Sequence, residues 1–226
     1  MTVHDLVTLL PTPDVLRDRC RALPLLDTVL APYAPLHDFS PAWAEGVAVA
    51  RMDNGSGDEY AIVFDPAGVL LLGFDHECDA TPWRIRPRAH WPGLLDGLPA
   101  GLARHTADPA FLFDGFLDAT VCVWREPGDD AWRCGPVAFG PDASAEPDGA
   151  ERLFELVTDG TGGAYTAYAE DIHELSVDRA AVSAVLAGSP LERATVLALS
   201  PTADLAAVAA RARSLGFPVA DDMRAA

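Results

Sequence analysis

The sequence predicts an α+β fold: an antiparallel sheet flanked by N-terminal and C-terminal helices. Three observations carry that expectation. Apolar residues recur at helical spacing between Val15 and Leu30. From Val47 onward the pattern changes to short apolar runs separated by Asn-Gly-Ser-Gly (54–57) and Asp-Pro-Ala-Gly (65–68). Beyond residue 163 the chain is Ala-rich and punctuated by cap residues. Helices, then strands, then helices is the pattern of an α+β domain.

Residues 1–34 read as helical. Asp14 stands where an N-cap is needed, and Val15, Leu16, Cys20, Leu23, Leu26, Val29 and Leu30 share a face. Pro24 predicts a kink or a division into two short helices, because proline removes one helical hydrogen bond. Pro32 and Pro35 end the segment.

A three-stranded meander follows over 47–53, 59–65 and 69–74. Tyr60, Ile62 and Phe64 fall on one face of its second strand. Asp65-Pro66-Ala67-Gly68 has proline and glycine where a tight turn places them. The unbroken apolar run of the third strand implies burial on both faces.

Residues 75–109 are irregular and rich in Pro and Trp. A hairpin is expected over 117–126 and 130–139, turning at Pro127-Gly128-Asp129. With a three-residue turn, Trp124 faces Trp132 and Cys122 faces Cys134. Arg152–Thr158 reads as a further strand and Ala164–Leu175 as a helix. Asp178 or Ser176 caps a helix from Arg179 to Ala187, stopped by Gly188. Thr195–Leu199 fits helix or strand. Ser200-Pro201 opens a last helix through Leu215, with Gly216 behind it. The expected organisation is one α+β domain over 1–226, with at most a small helical subdomain over 176–226.

The chain has 226 residues, 34 Asp and Glu, 16 basic residues that are all Arg, and a formal charge of −18. Such a surface repels phosphate backbones, so nucleic-acid binding is not expected. At 50% hydrophobic residues the chain is too apolar for disorder. The N-terminus MTVHDLVTLLPTPD lacks the basic and apolar regions of a secretory signal. No apolar run approaches the roughly 20 residues of a membrane span. A cytoplasmic protein is expected, its four cysteines reduced. None of them forms a CxxC pair, so no structural zinc site is expected.

The segment richest in chemistry is Gly73-Phe74-Asp75-His76-Glu77-Cys78-Asp79. Asp75, His76 and Glu77, joined by His90 from elsewhere, are the catalytic candidates if the chain is an enzyme. In an extended chain His76 points away from Asp75 and Glu77, so only a turn gathers them. The alternative is that Asp75 or Glu77 caps loop amides and pins the irregular stretch. Asp53–Glu59 imitates a calcium loop but fails its spacing: positions 3 and 5 are Gly and position 12 is Phe64. A hairpin turn explains it.

Trp83, Arg84, Arg86 and Trp91 are the binding candidates. Tryptophans anchor interfaces, and these arginines, with Arg88, form the one local positive cluster. Their alternative roles are a core with bonded indoles and pairing with nearby carboxylates. Motifs for a serine nucleophile elbow, an HExxH metal helix, a phosphate loop and a dinucleotide fold are all missing. No cofactor and no metal is assigned.

Asn54-Gly55-Ser56-Gly57-Asp58 with Tyr60, then Gly73-Phe74-Asp75-His76-Glu77, Trp91-Pro92-Gly93 and Leu215-Gly216-Phe217-Pro218 resemble a family of uncharacterised soluble bacterial proteins carrying a GFDHE motif. The family is similar in character to the small acidic immunity proteins that neutralise polymorphic toxins. Cys78 stands where a small residue such as serine is expected, which argues against a family-wide catalytic thiol. The −18 charge, the missing catalytic motifs and the tryptophans, with this resemblance, imply a non-enzymatic acidic protein-binding module with a basic protein partner, for instance an immunity-type inhibitor of a basic toxin. The alternative is a metal-assisted hydrolase using Asp75, His76 and Glu77.

Overall fold

The computed structural model describes residues 1–224 and has the predicted α+β architecture. The elements in chain order are α1 (Val3–Leu9), α2 (Pro13–Leu30), β1 (His37–Ala44), β2 (Val47–Asp53), β3 (Glu59–Asp65) and β4 (Gly68–Phe74). A long irregular stretch carrying α3 (Ala100–Ala103) follows, then β5 (Leu112–Phe113), β6 (Phe116–Leu117), β7 (Val121–Arg125) and β8 (Arg133–Cys134). The chain ends in α4 (Ala150–Thr158), α5 (Gly163–His173), α6 (Arg179–Leu186), α7 (Arg193–Leu199), α8 (Leu205–Ser214) and α9 (Asp221–Arg224). Among the described residues no helix is long and apolar enough to cross a membrane.

Two compact units divide the chain: Met1–Leu10 with Ala42–Phe154, and Pro11–Pro41 with the residues from Glu155 onward. The six-stranded sheet is ordered β1-β2-β3-β4-β7-β8, and β2, β3, β4, β7 and β8 lie in the first unit, with the small β5-β6 hairpin. The meander has the predicted boundaries to within a residue, because its turn chemistry is unambiguous. Asp65 pairs with Gly68 across a two-residue turn, and the Asp65 carboxylate accepts the Ala67 amide at 2.8 Å. Gly68 has φ +139°, and a Cβ there would run into the Arg125 carbonyl of the neighbouring β7. Central β4 is buried along its whole length, as its continuous apolar run implies.

Several local expectations are corrected. β1 was not expected, because Pro35 and Pro41 bracket and interrupt it. The hairpin is shifted by one residue: Trp124 pairs with Arg133, and Val123 with Cys134. Trp124 therefore does not face Trp132, nor Cys122 Cys134. The connection between β7 and β8 spans 126–132 rather than three residues. It is closed by the Arg125 guanidinium on the Asp129 carbonyl at 2.7 Å. Arg152–Thr158 is helix, not strand. Its buried Ala150, Leu153, Phe154 and Val157 recur at helical spacing, and the Asp148 carboxylate accepts the Ala150 amide at 3.0 Å. Phe154 stacks on Tyr60 with 5.4 Å between centroids and fills the space left by Gly73.

The second unit is helical. α2 runs unbroken through Pro24, and the helix absorbs the lost hydrogen bond among fully buried neighbours. α6 is capped by the Asp178 carboxylate on the Ala181 amide at 2.9 Å. α7 resolves the helix-or-strand alternative at 195–199 in favour of helix. α8 starts later than predicted, because Asp204 rather than Ser200 is its cap, accepting the Ala207 amide at 3.0 Å. Gly216 stands directly after that helix with φ +68°.

Candidate functional site

The first unit gathers its polar groups at one end of the sheet. The β3–β4 register pairs Glu59 with Phe74, so the residues just outside it, Asp58 and Asp75, face each other at the open end of the hairpin. Asp58 closes the Asn54–Asp58 loop. Its amide donates to the Asn54 side-chain oxygen at 3.1 Å, and its carboxylate accepts the Asn54 side-chain amide at 3.0 Å. Asp75 begins a tight turn: one oxygen of its carboxylate accepts the Glu77 amide at 2.9 Å and the Cys78 amide at 3.1 Å.

That turn brings His76 back toward Asp58. The His76 backbone amide and its Nδ1 both donate to one Asp58 oxygen, at 3.2 and 2.8 Å. Asp58, Asp75 and His76 offer three ligand atoms within 4.8 Å of one another. Glu77 is not one of them: its carboxylate is largely exposed and lies 3.8 Å from His76 Nε2. His90 is elsewhere, its Nε2 donating to the Leu117 carbonyl at 2.7 Å and its ring stacked on Phe116 at 4.7 Å.

The positive charge between the two carboxylates is Arg152 of α4. Its guanidinium pairs with the second oxygen of Asp75 and lies 3.4 Å from the second oxygen of Asp58. The site is locked from below. Thr120 accepts the Asp75 amide at 3.2 Å and donates to the Asp148 carbonyl at 2.8 Å. Gly149, at φ +74°, lies directly against the Asp75 side chain and leaves no room for a Cβ.

Electrostatics follow this geometry. Burial pushes the Asp58 carboxyl up, but the two His76 hydrogen bonds, Arg152 and Asn54 outweigh it, and the group lies below its ordinary value. The buried Cys78 thiol is pushed up to about 12, mainly by burial and then by the Asp75 charge. It is a poor nucleophile at neutral pH. Because the folded Asp58 carboxyl is lowered, its stabilising contribution is present above the unfolded value of 3.8 and is lost as pH falls through the folded value. Asp58→Asn is therefore expected to flatten the acid limb of stability below that pH. Urea midpoints across an acid series check this; an unchanged slope refutes it.

Beside this node lies the Trp83 surface. Trp83 lies within the short helical turn Pro82–Arg84 and is 41% exposed. Its indole nitrogen donates to the buried Asp118 carboxylate at 3.1 Å. Its ring packs against Phe74 at 5.2 Å and His76 at 6.2 Å. Asp118 also pairs with Arg88, whose guanidinium spreads over Phe116 and the exposed Phe113 at 4.8 and 5.7 Å. Arg84 lies 3.6 Å from Asp79, and Arg86 donates to the carbonyls of Trp83 and Ile85 at 2.7 and 3.1 Å. These arginines tie the loop to itself. Trp91 donates to the Ala138 carbonyl at 3.1 Å and packs on Phe139, a covering role for the chain after β8.

The candidates thus sort into three places: Asp75 and His76 in the node, Trp83, Arg84 and Arg86 on the adjoining surface, and His90 and Trp91 in separate contacts. Asp58, Arg152, Asp118 and Phe113 complete the arrangement and were not among the candidates. The signal for Asp58 was present in the turn at 65–68, whose register places 58 opposite 75. No protein-family model, curated protein or solved structure matches the chain.

Proposed function

We propose that this chain is a non-enzymatic, acidic protein-binding module of the immunity type, holding a basic protein partner at the surface around Trp83. The observation that carries the reading is an exposed indole that is nevertheless fixed. Trp83 is pinned by Asp118 and backed by Phe74 and His76, so little conformational entropy is lost when a partner covers it. Exposed Phe113 extends the apolar area beside Arg88, and Glu77 and Asp79 supply carboxylates near the anchor. An indole face and carboxylates suit Lys and Arg side chains. The −18 charge of the chain speeds encounter with a basic surface.

The carboxylates of the node support a non-catalytic role. One oxygen of Asp75 is engaged by two amides and the other by Arg152. Affinity capture from the source cells, comparing the native chain with Trp83→Ala, tests the reading. A strongly basic protein is expected from the native chain. Trp83→Ala is expected to weaken its binding by about 2 kcal/mol, roughly thirtyfold in Kd, with the fold intact. Retention of chaperones alone, or equal retention by both chains, refutes it.

A metal-assisted hydrolase has one observation in its favour, the convergence of Asp58, Asp75 and His76. In this arrangement the Arg152 guanidinium stands against both carboxylates and offsets one of their two charges. The hydrolase reading requires about one equivalent of Zn, Mn, Ni or Fe in protein purified without chelator. Elemental analysis well below that removes it.

A further inference from the structure

We propose that Cys134 and His4 form a reactive thiol–imidazole pair, a modification site at which Cys134 exchanges with low-molecular-weight disulfides. The inference is independent of the binding reading. Cys134 lies in β8, the last strand in the sheet order, and is partly exposed. Its sulfur is 3.5 Å from Nδ1 of His4, an exposed residue of α1. The other ring nitrogen, Nε2, is 2.8 Å from the Val137 carbonyl. A carbonyl only accepts, so in the neutral ring Nε2 carries the hydrogen and Nδ1 presents its lone pair to the thiol.

This is the arrangement of a nucleophile, a base and a third group that orients the base, here a backbone carbonyl. Burial and then the charge of Asp148 push the Cys134 thiol above its ordinary value, so it rests as the thiol and needs a proton acceptor to react. His4 is that acceptor. The Asp5 carboxylate, adjacent on α1, interacts with His4 and provides a counter-charge for the imidazolium. The other three thiols are buried, and burial is the chief cause raising each of them.

In the exchange, the Cys134 proton passes to His4 Nδ1 and the sulfur attacks one sulfur of the small disulfide. The new Cys134–S bond forms as the old S–S bond breaks. Cys134 is oxidised, the departing half is reduced, and its thiolate takes the proton back from His4.

The test uses the folded chain, oxidised glutathione as probe, and peptide mapping by mass spectrometry over time. Cys134 is expected to form its mixed disulfide at least about tenfold faster than Cys20, Cys78 or Cys122. His4→Gln, which keeps a donor for Val137 but supplies no base, is expected to slow Cys134 about tenfold. Iodoacetamide is expected to show the same order, since it reads the same proton transfer. Equal rates in the native chain and His4→Gln overturn the proposal. If His4→Gln fails to fold, the comparison among the four thiols of the native chain decides: no lead for Cys134 overturns it.

Discussion

Asp75→Ala is expected to destabilise the protein by about 3 kcal/mol, with an unchanged denaturant slope, because it removes both an amide cap and an ion pair. The Asp75 carboxylate is almost wholly buried and accepts the Glu77 and Cys78 amides. The Cys78 amide bond is buried, and a buried amide left without an acceptor costs about 1–3 kcal/mol. Arg152 loses its nearer partner, but its guanidinium is half-exposed and keeps Asp58 at 3.4 Å. Water screens that part of the loss, so the full 3–5 kcal/mol of a broken buried pair is not expected. Asp75→Asn retains an oxygen for the two amides and is expected to cost roughly half as much. Urea unfolding of both variants checks the order. A cost below about 1 kcal/mol for Asp75→Ala refutes the view that this carboxylate pins the loop.

Asp75 as a cap and His76 as its neighbour were legible because they adjoin in the chain and follow a strand end. The turn between them was not, since an extended reading sends their side chains to opposite faces. Asp58 was within reach: the turn at 65–68 sets the pairing of β3 with β4, and that pairing carries 58 to the side of 75. Arg152 was out of reach for a different reason. Leu153, Phe154 and Val157 satisfy either a short strand or one helix face. What decides is tertiary: the Asp148 cap and the seat of Phe154 against Tyr60. Reading that segment as strand left the node without its cation. Trp83 shows a third case. Its residue type marked it as an anchor, but its exposed position depends on Asp118, which approaches from across the irregular stretch.

In the second unit, Asp27→Ala is expected to cost about 3–5 kcal/mol, because it removes the shared acceptor of a largely buried polar cluster. Asp27 lies on α2 and is 1% exposed. One of its oxygens accepts the Leu36 and His37 amides at 3.0 and 2.9 Å and His37 Nδ1 at 3.0 Å. The other accepts the Tyr165 hydroxyl of α5 at 3.4 Å. Alanine leaves these donors without the carboxylate that accepts them, and a buried donor left unpaired is costly. Burial, and then the charge of Asp27, hold Tyr165 well above its ordinary value of 10.0, while Tyr168 is pushed up to about 12 by the same two causes. A folded value raised above the unfolded one stabilises fully below the unfolded value and is lost as pH rises beyond it. Stability should therefore decline above about pH 10, and phenolate absorbance from these two tyrosines should appear only as the chain unfolds. In Asp27→Ala the carboxylate charge that acts on Tyr165 is gone and burial remains, so the alkaline limb is expected to flatten while the neutral-pH midpoint falls. A neutral midpoint unchanged in Asp27→Ala would show that the cluster finds other acceptors, and that α2, His37 and α5 are held by apolar packing alone.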